Sequence, residues 1–112
     1  MFQLTVDSNT TDVAPLRLVA TAQPAPERLA EAIFQWLKHV PEFSQLQIEQ
    51  GADWIQVRFY FNCEPFCLHY EHYSDCYWID ADSQASLVIL SQLASLITSI
   101  EYNHGLSVPS SE

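Results

Sequence analysis

Three consecutive stretches of this chain alternate apolar and polar residues in the manner of strands: Ile55 to Phe61, Phe66 to His72 and Cys76 to Asp80. Successive side chains of a strand point to opposite faces, so each stretch has one apolar side and one polar side. Only short polar segments separate them, which makes an antiparallel meander the natural pairing. A sheet of this kind has one face to bury, and the rest of the chain must supply the cover.

Candidates for that cover lie on both sides of the meander. Residues 26–40 carry Leu29, Ile33, Trp36, Leu37 and Val40 at helical spacing, flanked by Ala30 and Phe34. Pro26 suits the first helical turn, and Pro41 stops the helix. Glu27 and Glu31 lie near its positive end, Lys38 and His39 near its negative end. Residues 82–102 predict a second helix, with Ala85, Ile89, Leu93, Leu96, Ile97 and Ile100 on a broad apolar face that Leu87, Leu90 and Ala94 extend. Asp82 or Ser83 caps its start, and Asn103 and Gly105 end it.

Ser44 to Glu49 reads as a further strand, with Leu46 and Ile48 on the apolar side. Phe2 to Val6 and Leu16 to Ala20 are candidates to extend the sheet. The expected fold is α+β: a two-layer sandwich, an antiparallel meander sheet of four to five strands with two helices packed on one face. The expectation is a single domain over residues 1–112, with an ordered core of about 15–103 and a mobile tail at 106–112.

Turn placement sets which residues meet. A two-residue turn at Glu64-Pro65 sets Arg58 opposite Glu71, Tyr60 opposite His69 and Phe59 opposite Tyr70. A second at Ser74-Asp75 sets His69 opposite Asp80 and Glu71 opposite Trp78. Opposite charges directly across strands contribute up to ~1 kcal/mol a pair. A one-residue slip costs more, because it turns Phe59 and Phe61 to the wrong side. Neither dipeptide has the preferred chemistry of a tight hairpin turn, so either loop is a candidate for extra length or for a bulge at Cys63 or Cys76.

The chain carries 14 acidic against 4 basic residues, a formal net charge of −10. Such a surface repels phosphate, which argues against nucleic acid and anionic membranes as partners. No stretch has the apolar length of a membrane span, and the N-terminus lacks the pattern of a signal peptide. The three cysteines, Cys63, Cys67 and Cys76, then read as reduced thiols in a cytoplasm.

Three constellations on the meander could carry function. Tyr60, His69 and Asp80 form one cross-strand row in the expected register, an imidazole between a carboxylate and a phenol as a general base needs, although no nucleophile accompanies it. Cys63, Cys67, His69 and Cys76 are soft metal ligands in a short span, but they lack the paired spacing of a structural zinc site and point to different faces. Trp54, Tyr60, Tyr73 and Trp78 stud the polar side of the sheet, where uncovered aromatics suit an interaction surface.

The run from Trp54 to Phe59, continued through Cys76-Tyr77-Trp78-Ile79-Asp80 and the apolar helix after it, resembles a family of small uncharacterised proteobacterial proteins, a domain of unknown function. The resemblance covers about residues 15–103 and carries no activity with it. The residues alone point to a small acidic cytoplasmic binding or adaptor protein without a cofactor. It would use Trp54, Arg58, Tyr60, Glu71 and Trp78 for self-association or for a protein partner. The alternative is a small-ligand binder or enzyme built on His69, Asp80 and Tyr60.

Overall fold

A computed structural model describes residues 2–7 and 15–107, with side chains described as far as residue 100. The elements are β1 (Gln3–Val6), β2 (Leu16–Thr21), α1 (Pro26–Lys38), β3 (Phe43–Gln50), β4 (Trp54–Phe61), β5 (Glu64–Glu71), β6 (Cys76–Ala81), α2 (Gln84–Val88) and α3 (Leu90–Ser107). The fold is α+β. All neighbouring strands are antiparallel, in the order β1-β2-β6-β5-β4-β3.

Among the described residues the sheet has six strands, where four to five were expected. The N-terminal pair adds both of its strands, because Leu4, Leu16 and Leu18 are apolar at alternate positions and all three are buried. β2 docks on β6, with Leu16 opposite Ile79 and Leu18 opposite Tyr77. These residues join Ile55, Val57, Phe59, Phe61, Phe66, Leu68 and Tyr70 in one core. Leu29, Ile33 and Leu37 of α1 and Leu90, Leu93 and Ile97 of α3 belong to the same core. Phe59 lies at its centre, 4.6 Å from the ring of Phe43 and 5.8 Å from that of Phe66. Leu46 is only partly buried and Ile48 is exposed, so the apolar side of β3 is less covered than its alternation implied.

The β4–β5 hairpin turns at Asn62-Cys63 rather than at Glu64-Pro65. Asn62 and Cys63 have φ of 54° and 65°, as a tight hairpin loop requires of its two central residues. Phe59 consequently faces Phe66, Arg58 faces Cys67, Tyr60 faces Pro65 and Trp54 faces Glu71. The expected pairings of Arg58 with Glu71 and of Tyr60 with His69 are therefore replaced. The shift is an even number of residues, so every side chain keeps its face. Pro65 is compatible with this because it lies beyond the end of β6, where its carbonyl accepts the Asp82 N–H at 3.1 Å.

The β5–β6 loop spans residues 72–75, with Asp75 at φ 54°, and sets His69 opposite Trp78 and Cys67 opposite Asp80. The second helix also departs from expectation. It breaks at Ile89 into a short α2 and a long α3, giving three helices among the described residues. Ser83 caps α2 as its spacing suggested, accepting the Ser86 N–H at 3.0 Å. Ser86 is fully buried, and its hydroxyl donates to the Pro65 carbonyl at 2.5 Å, which ties α2 to β5. The backbone of α3 runs through Gly105 to Ser107, past the expected stop. Residues 106 and 107 of the expected tail are thus helical, and 108–112 lie outside the described residues.

Candidate functional site

The residues proposed for binding project from the side of the sheet opposite the core. Two cross-strand rows define its centre. One row runs Arg17–Trp78–His69–Gln56–Glu49 across β2, β6, β5, β4 and β3. The adjacent row runs Asp80–Cys67–Arg58–Gln47 across β6, β5, β4 and β3. Tyr60, between Ser44 and Pro65, begins a third row. Trp54 stands at the opposite margin beside Glu71.

The middle of this face is rigidly organised. The His69 ring stacks on the Trp78 indole with centroids 5.0 Å apart and planes 10° from parallel. His69 Nε2 lies 3.2 Å from Asp80 Oδ2, and the same oxygen accepts the Trp78 Nε1–H at 3.3 Å. His69 and Asp80 thus meet diagonally rather than directly across, because the longer β5–β6 loop moves the register by two residues. Tyr60 does not join them. The expected Tyr60–His69–Asp80 row is reduced to a His69–Asp80 pair braced by Trp78.

Cys67 sits between Arg58 and Asp80 and is only 4 % exposed. Burial pushes its thiol up to about 11, helped by the negative charges of Asp82 and Asp80 and opposed by Arg58. A thiol held protonated is a poor nucleophile and a poor metal ligand near neutral pH. Cys63 is exposed in the hairpin turn, and Cys76 donates weakly to the Ser74 carbonyl at 3.4 Å. Among the described residues no group of three or more His, Cys, Asp or Glu could hold a metal ion, so Cys63, Cys67, His69 and Cys76 are not brought together.

Several large apolar residues remain in solvent on this outer face. Trp54 is 39 % exposed, Tyr60 36 % and Val19 49 %. The Trp54 indole lies against Gly51, where a Cβ would press into the ring, so glycine lets the side chain lie flat over the turn. Tyr73 is highly exposed but sits in the β5–β6 loop, away from the strand rows. Glu71 is held by the Ser74 hydroxyl at 2.9 Å.

Sequence reasoning did not name Arg17 and Val19 as members of this face, although it did turn Cys67 away from the core. Arg17 and Val19 alternate with buried Leu16 and Leu18, which was the available signal. Their pairing with the far end of the meander is a long-range contact that no local pattern contains.

A separate cleft of about 550 Å³ opens at the α1–α3 side of the molecule. Phe2, Trp36, Val40, Leu96 and Ile100 supply its apolar wall, and Gln35, His39 and Ser99 supply polar groups. His39 Nδ1 is 2.7 Å from the Gln35 carbonyl, so in its neutral form this nitrogen carries the proton. None of His69, Asp80 and Tyr60 lines the cleft.

No helix among the described residues is long and apolar enough to cross a membrane. No curated protein and no solved structure matches the chain. A family model described as a protein of unknown function, DUF3630, does match over residues 7–98, and the chain belongs to that family.

Proposed function

We propose that this chain is a non-enzymatic binding protein of the cytoplasm, which offers the outer face of its sheet to a protein partner. The reading takes the molecule as two layers, with α1 and α3 roofing one side of the sheet and leaving the other bare. One observation carries it: Trp54, Tyr60 and Val19 stay in solvent on a face whose centre, His69–Trp78–Asp80, is already locked by stacking and hydrogen bonds. Pre-ordered aromatic side chains lose little freedom on binding, which favours them as anchors. Arg58 and Glu71 supply charges of both signs around them, and a basic partner suits the net charge of −10.

Support for a binding role over catalysis comes from the same geometry. His69–Asp80 has no phenol beside it, the nearby thiol is buried and protonated, and the cleft lies elsewhere. The test is capture from host extract with the unaltered chain and with a Trp54→Ala, Trp78→Ala double variant. The variant should keep its circular dichroism and thermal midpoint within a few degrees and lose about tenfold or more in partner affinity. Undiminished capture by a folded variant would defeat the proposal.

The α1–α3 cleft favours a second reading, a site for a compact, largely apolar small molecule. Its polar groups at Gln35, His39 and Ser99 would orient one end. A ligand seated there changes the fluorescence of Trp36, and a Trp36→Phe variant should lose that response. A response that persists in this variant would place the molecule elsewhere.

A further inference from the structure

We infer that β3 is a pairing edge for a second copy of this chain, which would join two sheets into one through their β3 strands. The surface is distinct from the outer face discussed above and does not depend on that reading.

Among the described residues the sheet ends on β1 at one side and β3 at the other. Open edges expose unpaired backbone groups, and proteins usually blunt them with lysine, proline, bulges or short length. β1 has only four residues in all. β3 has eight residues, FSQLQIEQ, with neither lysine nor proline. Its first half is interrupted by a bulge between Ser44 and Gln47, where Gln45 has φ 55°. From Gln47 to Gln50 the strand is regular and pairs residue for residue with β4.

The direction of its free backbone groups follows from the hairpin. The Gly51 N–H donates to the Trp54 carbonyl at 3.0 Å. Hydrogen-bonded pairs alternate along an antiparallel ladder, so Glu49 and Gln47 bond toward β4. Ile48 and Gln50 therefore aim their N–H and C=O groups outward. Ile48 is also 38 % exposed, although it lies opposite fully buried Val57 and on the core side of the sheet.

Two-fold antiparallel pairing must match outward-facing residues with one another, which leaves few registers. Centring on Glu49 would set two carboxylates directly opposite and is disfavoured. Centring on Ile48 sets Ile48 against the second copy's Ile48 and Glu49 against the second copy's Gln47. That register covers the exposed isoleucines, opposes no like charges and satisfies the outward groups of Ile48. The interface is narrow and each copy carries a net charge of −10, so the dimer should be weak, on the order of micromolar, and should tighten as salt rises.

Sedimentation equilibrium over a concentration series tests this on the full chain. The expected result is a reversible dimer that Ile48→Lys weakens at least about tenfold while the circular dichroism is unchanged. A register check uses single introduced cysteines in a Cys63→Ser, Cys76→Ser background, which leaves only buried Cys67 of the native thiols. Ile48→Cys should form a disulfide-linked dimer on mild oxidation, and Gln50→Cys should not, since its counterpart is the second copy's Leu46. A monomer at every concentration and salt would overturn the inference. So would a dimer indifferent to Ile48→Lys, or faster cross-linking through Gln50→Cys. Loss of the dimer in the Trp54→Ala, Trp78→Ala variant but not in Ile48→Lys would move self-association to the outer face. Loss of partner capture with an intact dimer in that same variant would bear on the proposed function alone.

Discussion

Cys67 shows how much the meaning of a residue depends on its neighbours. As a letter in the sequence it is a soft ligand two residues from a histidine. In the fold it is a covered side chain in the row between Arg58 and Asp80, with its thiol pushed up to about 11. The three thiols should therefore differ in reactivity. With a thiol reagent at mildly alkaline pH, exposed Cys63 should react at once and Cys67 only after denaturant is added. Peptide mapping of the labelled protein gives the order, and early labelling of Cys67 would contradict the burial. Ser86 teaches the same point: a polar residue by type, it is fully buried because the Pro65 carbonyl and Ser83 satisfy its hydroxyl.

Among the elements, alternation and helical spacing were legible, and loop geometry was not. β4 reads directly from Trp54 to Phe61 because every second residue is apolar, and all four of those residues are buried. α1 starts at Pro26 and ends at Lys38 close to the expected limits, since proline at each side leaves the chain little choice. The β4–β5 turn was misplaced because Pro65 looked like a turn residue, whereas Asn62-Cys63 takes the left-handed backbone of a tight loop. Asparagine tolerates that conformation; cysteine does not favour it. Cys63→Gly should accordingly stabilise the hairpin, by about 0.5–1 kcal/mol. A shift of the urea midpoint to higher concentration at constant slope would show it, and a lower midpoint would mean the turn is not as described.

At the scale of the whole molecule the core sets the response to alkali. Burial raises Cys67 from its ordinary 9.0 to about 11 and Tyr70 from 10.0 to about 12, and it also raises Tyr77. The Tyr70 hydroxyl donates to Asp75 at 2.9 Å and that of Tyr77 to Gln23 at 2.6 Å, so both are held in the neutral form. Each of these groups keeps its proton more firmly when folded than when unfolded. Their contribution is fully present below the unfolded values and is lost as pH rises through the folded ones. Urea midpoints should fall progressively from about pH 9 to about pH 12, and Cys67→Ala should flatten the first part of that fall. A midpoint constant over this range would show that the groups are not enclosed as described.

By itself, the sequence determined the class of the fold and the face each strand residue takes. Both follow from periodicity, which is a local property, and an even shift of register leaves it intact. Only the tertiary structure decided which residues meet: His69 with Trp78, Cys67 with Arg58 and Asp80, and Arg17 with the far strand. Those meetings depend on the backbone angles of two loops and on a contact between β2 and β6, some sixty residues apart, which packing of the whole core selects.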